Sequence, residues 1–417
     1  MGLVPTPTLE PTPPLLRRTR IVCISDTHNT HLQLPRGDIL IHAGDLTNQG
    51  TYGELQKTLA WLSLASGFKL KIIVAGNHDI TLDAPFYRQY GSYFHNQQMQ
   101  DSAACIELIA KTSGIVYLRH GARTFELKNE DGTTTRFKVF GSPYSPSRGL
   151  WAFGYAPEDA ATKWADIPLD TDIVITHTPP KFHCDESATR GAAGCEDLRR
   201  ALWRVRPRLA VCGHVHEGRG VESVLWDLEA PNVRFKEVET FYWEDATVGS
   251  KRQFRVDLTT KSVSPLRNDG GKGRLGSTVA MMQARGREVS PEEQEAEYGT
   301  RVVGAVGQAQ QDGPSPEEEQ EPRNPKPPFP QSGLAERPIP PLPLPRPIHP
   351  STYGIGGLPA TGRCDFEALA GREGRRETCI INAAIAGSSW PHPAGKKFNK
   401  PIVIDIELPV VDAKGED

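Results

Sequence analysis

An α/β fold, with a parallel sheet covered by helices, is predicted by three features of this 417-residue chain. Short apolar, β-branched runs recur at Arg20-Ile21-Val22-Cys23-Ile24-Ser25, Ile39-Leu40-Ile41-His42-Ala43 and Leu70-Lys71-Ile72-Ile73-Val74-Ala75, as buried strands do. Between the second and third, Leu55, Leu59 and Leu62 recur at i, i+4 and i+7 within Tyr52 to Ala65, and Gly67 stands where such a helix would end. Strand, helix, strand in that order is a βαβ unit. Thirdly, each run stops at a polar cluster, the richest being Gly76-Asn77-His78-Asp79. α/β sheets put their chemistry there, on loops beyond the carboxyl ends of the strands.

Taken in order, residues 1–17 form a proline- and threonine-rich leader expected to be disordered. The first strand delivers Asp26-Thr27-His28, the second Gly44-Asp45 and the third the Gly-Asn-His-Asp cluster. Leu82 to Gly114 is polar and partly helical in pattern. Ile115–Leu118, Thr124–Leu127 and Arg136–Phe140 read as short strands, the last two joined across a turn centred on Asp131-Gly132. Asp172–Thr176 is a strand ending at His177, and Pro179-Pro180 prevents its continuation. Cys195–Val205 reads as a helix, and Leu209–Cys212 as a strand ending at Gly213-His214-Val215-His216.

After Gly220 the pattern weakens, with alternation at Phe254, Val256 and Leu258. Residues 259–360 are rich in Gly, Pro, Gln, Glu and Arg, with too little apolar surface to offset the entropy of ordering, and are expected to be a disordered insertion. Cys379–Ala384 and Pro401–Leu408 then read as closing strands. The domain is therefore expected to be discontinuous, 18–258 and 361–417, an arrangement tolerated because loop-closure entropy grows only with the logarithm of length.

A net charge of −3 argues against attachment to nucleic acid or to an anionic membrane by bulk charge. No stretch approaches the ~20 apolar residues of a membrane span, and the N-terminus lacks a basic start with an apolar run behind it. The seven cysteines are scattered with no Cys-x-x-Cys pair, which favours reduced thiols and a cytoplasmic setting.

Five apolar strands thus end in Asp-x-His, Gly-Asp, Gly-Asn-His-Asp, His and Gly-His-x-His. Convergent carboxylates, imidazoles and one amide, with no thiolate, suit two hard or borderline divalent ions such as manganese, iron or zinc. His31 and His42 lie outside this scheme, the first on a loop and the second within a strand.

The series resembles the calcineurin-like metallophosphoesterase superfamily, whose signature has these five blocks in this order. Within it the chain is similar to the metallophosphoesterase-domain-containing subgroup of phosphodiesterases, with Gly141-Ser142-Pro143-Tyr144, Trp151-Ala152-Phe153, His177-Thr178-Pro179-Pro180 and His214-Val215-His216-Glu217-Gly218 as supporting residues. The resemblance covers about Arg20 to Gly220 and resumes near the C-terminus. It implies a four-layer α/β/β/α sandwich, two facing mixed β-sheets flanked by helices. It also implies that Asp26, His28 and His216 hold one metal, that Asn77, His177 and His214 hold the other, and that Asp45 bridges them. Two ions roughly 3.5–4 Å apart would activate a bridging hydroxide and neutralise the phosphoryl oxygens. His78 would donate a proton to the leaving alkoxide or stabilise charge. Asp79 would either orient that imidazole or cap a helix. Tyr144, Trp151 and Phe153 would pack in the core or line the cleft, Tyr144 and Trp151 being the candidate substrate contacts.

Absences narrow the subclass. The Asp-Arg-Gly that Ser/Thr phosphatases of this fold carry after Gly-Asp is missing, and Asn48 stands where purple acid phosphatases have tyrosine. The expectation is a phosphodiesterase acting on a small, cyclic-nucleotide-like phosphodiester. Two alternatives stand beside it. One is a metal-binding scaffold working through the insertion, where Arg337 to Pro343 fits the ligand pattern of proline-binding domains or serves as a spacer. The other is a nuclease, for which no basic groove is evident.

Overall fold

The computed structural model describes residues 15–187, 191–228, 237–247, 250–270, 374–388 and 395–411. The chain divides into one unit of Met1–Thr278 with Pro350–Asp417 and a second of Val279–His349, and every described residue belongs to the first. Most of the expected insertion, Arg337 to Pro343 included, lies outside the described residues.

In chain order the elements are β1 (Leu16–Ile24), β2 (Ile39–Ala43), α1 (Tyr52–Leu64), β3 (Leu70–Val74), α2 (Ala84–Phe94), α3 (Ser102–Lys111), β4 (Val116–Tyr117), β5 (Gly121–Lys128) and β6 (Thr134–Ser142). The short strands β7 (Ser145–Pro146) and β8 (Gly154–Tyr155) pair with each other and precede α4 (Ala160–Ala165) and β9 (Ile173–Thr176). A second small ladder, β10 (Glu186–Ser187) with β11 (Gly191–Ala192), leads to α5 (Glu196–Val205), β12 (Leu209–Cys212), β13 (Gly220–Trp226), β14 (Glu237–Tyr242) and β15 (Phe254–Asp257). β16 (Glu377–Asn382) and β17 (Ile402–Val411) close the fold.

The first sheet runs β15-β17-β1-β2-β3-β4 and the second β14-β13-β16-β12-β9-β6-β5. β1, β2 and β3 are mutually parallel, as are β6, β9, β12 and β16. β17 runs antiparallel to β1 over eight residue pairs, from Leu16 opposite Pro409 to Cys23 opposite Ile402, and its last residues pair with β6. The two sheets are therefore one continuous ladder that turns over at the end of β17.

Alternate side chains of each parallel strand enter two different cores, which is why these strands read as unbroken apolar runs. Ile21, Ile41 and Ile72 point inward to meet Val139, Ile175, Val211 and Ile381 of the opposite sheet, while Val22, Leu40 and Ile73 point outward to Leu55, Leu59 and Leu62 of α1. On the second sheet, α5 buries Leu198, Ala201, Leu202 and Trp203. Helix, sheet, sheet, helix is the expected layering. Each of these fully buried aliphatic side chains contributes about 1.5–3 kcal/mol, so the strand ends rest on a rigid base.

Two boundaries differ from expectation. The first strand begins at Leu16, inside the expected leader, because β17 supplies a partner that the sequence neighbourhood does not reveal. Thr259 to Gly270, placed by composition in the insertion, is packed: Thr260 donates to Glu407 through both its amide and its hydroxyl, and Asn268 is 4% exposed with its amide on the carbonyls of Arg206 and Glu377.

Candidate metal centre

All five polar strand ends lie on one rim, at the carboxyl ends of β1, β2, β3, β9 and β12. There the backbone turns sharply enough that Asp26, His28, Asp45 and His214 take φ of +51°, +44°, +53° and +66°. Left-handed backbone is unfavourable for side chains other than glycine and persists where surrounding structure imposes it. Here the loops lock one another: Asp26 donates its amide to the Gly44 carbonyl at 2.8 Å, His28 to Asp45 at 3.1 Å and His177 to Ser142 at 3.1 Å. The glycines of the motifs permit this closeness. A Cβ on Gly76 would overlap the carboxylate of Asp45, and one on Gly213 would overlap that of Asp26.

The expected ligands converge in two overlapping groups. In one, His216 Nε2 lies 3.3 Å from Asp26 Oδ1 and 3.4 Å from His28 Nε2, and His28 Nε2 is 3.7 Å from Asp45 Oδ2. In the other, His177 Nε2 is 3.0 Å from Asn77 Oδ1 and 3.4 Å from Asp45 Oδ2, and His214 Nδ1 is 2.8 Å from Asn77 Oδ1 and 3.2 Å from His177 Nε2. Asp45 belongs to both groups. Asp26, Asp45 and His177 are essentially inaccessible, whereas His28, His78, His214 and His216 keep some exposure and form the open side.

The residues present fit a cation. His28, His177 and His216 each set Nδ1 against a backbone carbonyl, of Thr47 at 3.2 Å, Ala43 at 3.0 Å and Ser388 at 3.1 Å. Those bonds occupy Nδ1 and turn Nε2 of each ring toward the other donor atoms and the carboxylate oxygens. A cation among these donors, whether a proton on Nε2 or a metal ion, offsets their mutual repulsion.

Burial and the two carboxylates act on the rings in opposite directions. Burial drives the His28 imidazole down to about 4 against the pull of Asp45. Burial also disfavours charge on His177, but Asp45 and Asp26 outweigh it and raise that group to about 9. Asp26 and Asp45 would be raised by burial, yet the neighbouring histidines hold both well below the usual carboxylate range. Both carboxylates are thus held ionised.

His78 sits beside the clusters. Its amide donates to Asp45 Oδ1 at 2.8 Å, its Nδ1 lies 2.8 Å from the Asn48 carbonyl, and its ring meets His28 edge-on with centroids 4.7 Å apart. Asp79 does neither of the things expected of it. Its carboxylate accepts from the amides of Gly76 (2.8 Å), Leu46 (3.1 Å) and Thr47 (2.9 Å) and from the Thr47 hydroxyl (2.7 Å), and it makes no cap hydrogen bond. It ties the β3 loop to the loop bearing Asp45, and the Asn48 carbonyl takes the orienting role instead. Burial, reinforced by Asp45, pushes the Asp79 carboxyl up to about 6.

Trp151 packs on His78 and on Phe94, with centroids 4.0 and 5.4 Å away. Tyr144 keeps different company, contacting His120 and Phe153, with the Lys163 ammonium 3.5 Å above its ring. His31 stacks on Trp61, and His42 is buried with Nε2 2.9 Å from the Thr27 hydroxyl.

Sequence reasoning missed the groups that act through their backbone. Asn48, Thr47 and Ser388 contribute carbonyls, which no side-chain pattern reports. Asn382 was legible only as part of a strand; its side-chain amide donates to the carbonyls of Cys184 and Val215, holding the residue between His214 and His216.

Residues 19–218 match the family model described as calcineurin-like phosphoesterase. The chain is 45% identical over 211 residues to a protein named probable rhamnogalacturonate lyase C of Emericella nidulans, covering 50% of this chain and 18% of that one. It is 35% identical over 226 residues to human metallophosphoesterase domain-containing protein 1, covering 52% of this chain and 66% of that one. A UPF0046 protein of Caenorhabditis elegans is 33% identical over 231 residues, 54% of this chain and 71% of that one. With five motif blocks on one rim and these relatives, the chain belongs to the calcineurin-like phosphoesterase family, in its metallophosphoesterase-domain-containing subgroup.

Proposed function

We propose that the chain is a metal-dependent phosphodiesterase for small phosphodiesters of the cyclic-nucleotide kind. The observation that carries this is the position of Asp45, whose Oδ2 lies 3.4 Å from His177 Nε2 and 3.7 Å from His28 Nε2, within reach of both donor groups. In this reading Asp26, His28 and His216 hold one divalent ion, Asn77, His177 and His214 the other, and Asp45 is shared; manganese, iron and zinc suit the oxygen and nitrogen donors. When bound, such a pair supplies charge neutralisation at the phosphoryl oxygens and an activated water.

The chain's own residues supply the rest. The Nδ1 of His78 is fixed on the Asn48 carbonyl, so Nε2 is the atom left to exchange a proton. Protonated, it can give that proton to the departing alkoxide. The ring of Trp151 braces His78 from behind, and Asp79 keeps the Asp45 loop in place. The buried free cysteines Cys23, Cys105, Cys184, Cys195, Cys212 and Cys379 are the observation behind a cytoplasmic, reducing setting. Among the described residues no helix is long and apolar enough to cross a membrane.

The test is hydrolysis of an aryl phosphodiester, beside the corresponding monoester, by metal-stripped protein resupplied with manganese. Diester cleavage that needs the ion and is lost in Asp45→Asn and His78→Ala is the expected result. A folded protein that binds two ions yet turns over neither ester would overturn the proposal.

A further inference from the structure

The second sheet ends at β14, Glu237-Val238-Glu239-Thr240-Phe241-Tyr242, and among the described residues no strand lies beyond it. Tyr242, Phe241, Thr240 and Glu239 stand opposite Glu222, Ser223, Val224 and Leu225 of β13, after which the register shifts and Glu237 faces Trp226. At the other end the Trp243 amide donates to Val221 O at 3.0 Å and prolongs the ladder, so Glu239 to Trp243 is the regular edge.

Hydrogen-bonded and non-hydrogen-bonded pairs alternate along an antiparallel ladder. The Trp243 bond therefore turns the backbone N–H and C=O of Glu239, Phe241 and Trp243 toward β13, and those of Thr240 and Tyr242 away from it. Such a row of outward groups is a template for another strand, and proteins commonly guard it with lysine or proline. β14 contains neither.

Its side chains are unguarded too. Phe241 lies on the same face as Trp243, with ring centroids 5.1 Å apart, and Trp243 packs against the inter-sheet core with its indole N–H on Ser223 Oγ at 3.4 Å. Trp243 is half-buried by that packing, but Phe241 is 50% exposed and Tyr242 63% exposed. The apolar inner face of the sheet thus runs on to its last strand without a cover among the described residues.

We propose that β14 pairs antiparallel with β14 of a second copy of this chain, about a two-fold axis passing between the two Phe241 residues, so that the two sheets become one. In that register Thr240 of each copy lies opposite Tyr242 of the other, and each of these pairs exchanges hydrogen bonds through the backbone groups that β13 leaves unused. Phe241 meets its own counterpart in the closer, non-hydrogen-bonded position, where an aromatic cross-strand pair is favourable. Glu239 faces Trp243, so no carboxylate of the regular edge opposes another. The edge complements itself in backbone groups, ring packing and charge, as an isologous contact requires, and this assigns it a second copy rather than an unrelated peptide.

The experiment is sedimentation velocity of the full chain across the micromolar range, where a dimer that grows with concentration is expected. Thr240→Pro removes an N–H that β13 does not use, so the strand keeps its place in the sheet while the dimer is lost. Phe241→Lys and Phe241→Glu should each be monomeric, because like charges meet on the axis, and an equimolar mixture of the two should restore the dimer. Should the proline variant not fold, the charged pair decides. A wild-type chain that stays monomeric throughout, a dimer that survives Thr240→Pro, or charged variants that do not pair on mixing would overturn the proposal.

Discussion

The ring of His78 rests on that of Trp151, with centroids 4.0 Å apart and planes inclined at 34°. With Nδ1 held at 2.8 Å by Asn48 O, the imidazole has one orientation imposed from two directions. Replacing His78 with alanine should lower kcat by roughly 10²–10⁴, the usual worth of a positioned general acid, while bound metal stays at the wild-type level. Turnover and metal content measured on one preparation check both halves. Trp151→Leu, which removes only the brace, should cost kcat about tenfold with little change in KM. A large rise in KM instead would return Trp151 to the role of substrate contact.

Asp79 provides a different kind of control. In Asp79→Ala four buried donors, the amides of Gly76, Leu46 and Thr47 and the Thr47 hydroxyl, lose their acceptor together. At about 1–3 kcal/mol for a group left unmade, and with partial relaxation, a loss of at least about 3 kcal/mol is expected in denaturant unfolding, with weakened metal binding because the Asp45 loop is released. Asp79→Asn keeps one acceptor oxygen and should fall between. Normal stability and metal content with a collapsed kcat would mean that the carboxylate serves His78 after all.

The sheet and the convergence of its polar strand ends were legible because burial on two faces writes itself as uninterrupted apolar runs, and because a turn that presents polar side chains at a strand end breaks the run with glycine, aspartate or histidine. Gly76-Asn77-His78-Asp79 carries that signal in four consecutive residues. The direction of Asp79 was not legible, since adjacency in sequence says nothing about which way a side chain leaves a tight turn. Nor was the start of β1 at Leu16: its stability comes from Pro409 and Leu408, almost four hundred residues away along the chain. The contribution of Asn48 and Ser388 through carbonyl oxygens has no side-chain signature at all.

The closing segment does more than fill a sheet. Ser388 O fixes Nδ1 of His216 at 3.1 Å, Ile385 and Ala386 donate their amides to Ser25 and Asp26, and β17 is the central partner of β1. A chain ending at Pro350 loses β16 and β17, exposing the inward faces of Ile381, Ile404 and Ile406 neighbours in both sheets. Expression should give insoluble protein. A soluble truncation that still turns over substrate would show that neither strand is needed.

His183 makes stability depend on pH at a place outside the candidate metal centre. It is 2% exposed, with Nδ1 2.9 Å from Glu222 Oε2 and Nε2 3.0 Å from Glu237 Oε1, and both nitrogens can donate only as imidazolium. Burial alone would lower its pKa, but the two carboxylates outweigh burial and raise it above 6.5. Glu222 also accepts from the Cys184 amide at 2.7 Å, and Arg199 stands on Glu237. The folded chain therefore holds this proton more tightly than the unfolded chain. The resulting stabilisation is complete below the unfolded value of about 6.5 and is lost as pH rises through the raised folded value, with a slope of at most about 1.4 kcal/mol per pH unit. Denaturant unfolding between pH 6 and pH 9 should show the stability difference between wild type and His183→Gln shrinking toward alkaline pH. A difference that stays constant across that range would mean the imidazole is buried neutral, with one of its two carboxylates carrying the proton.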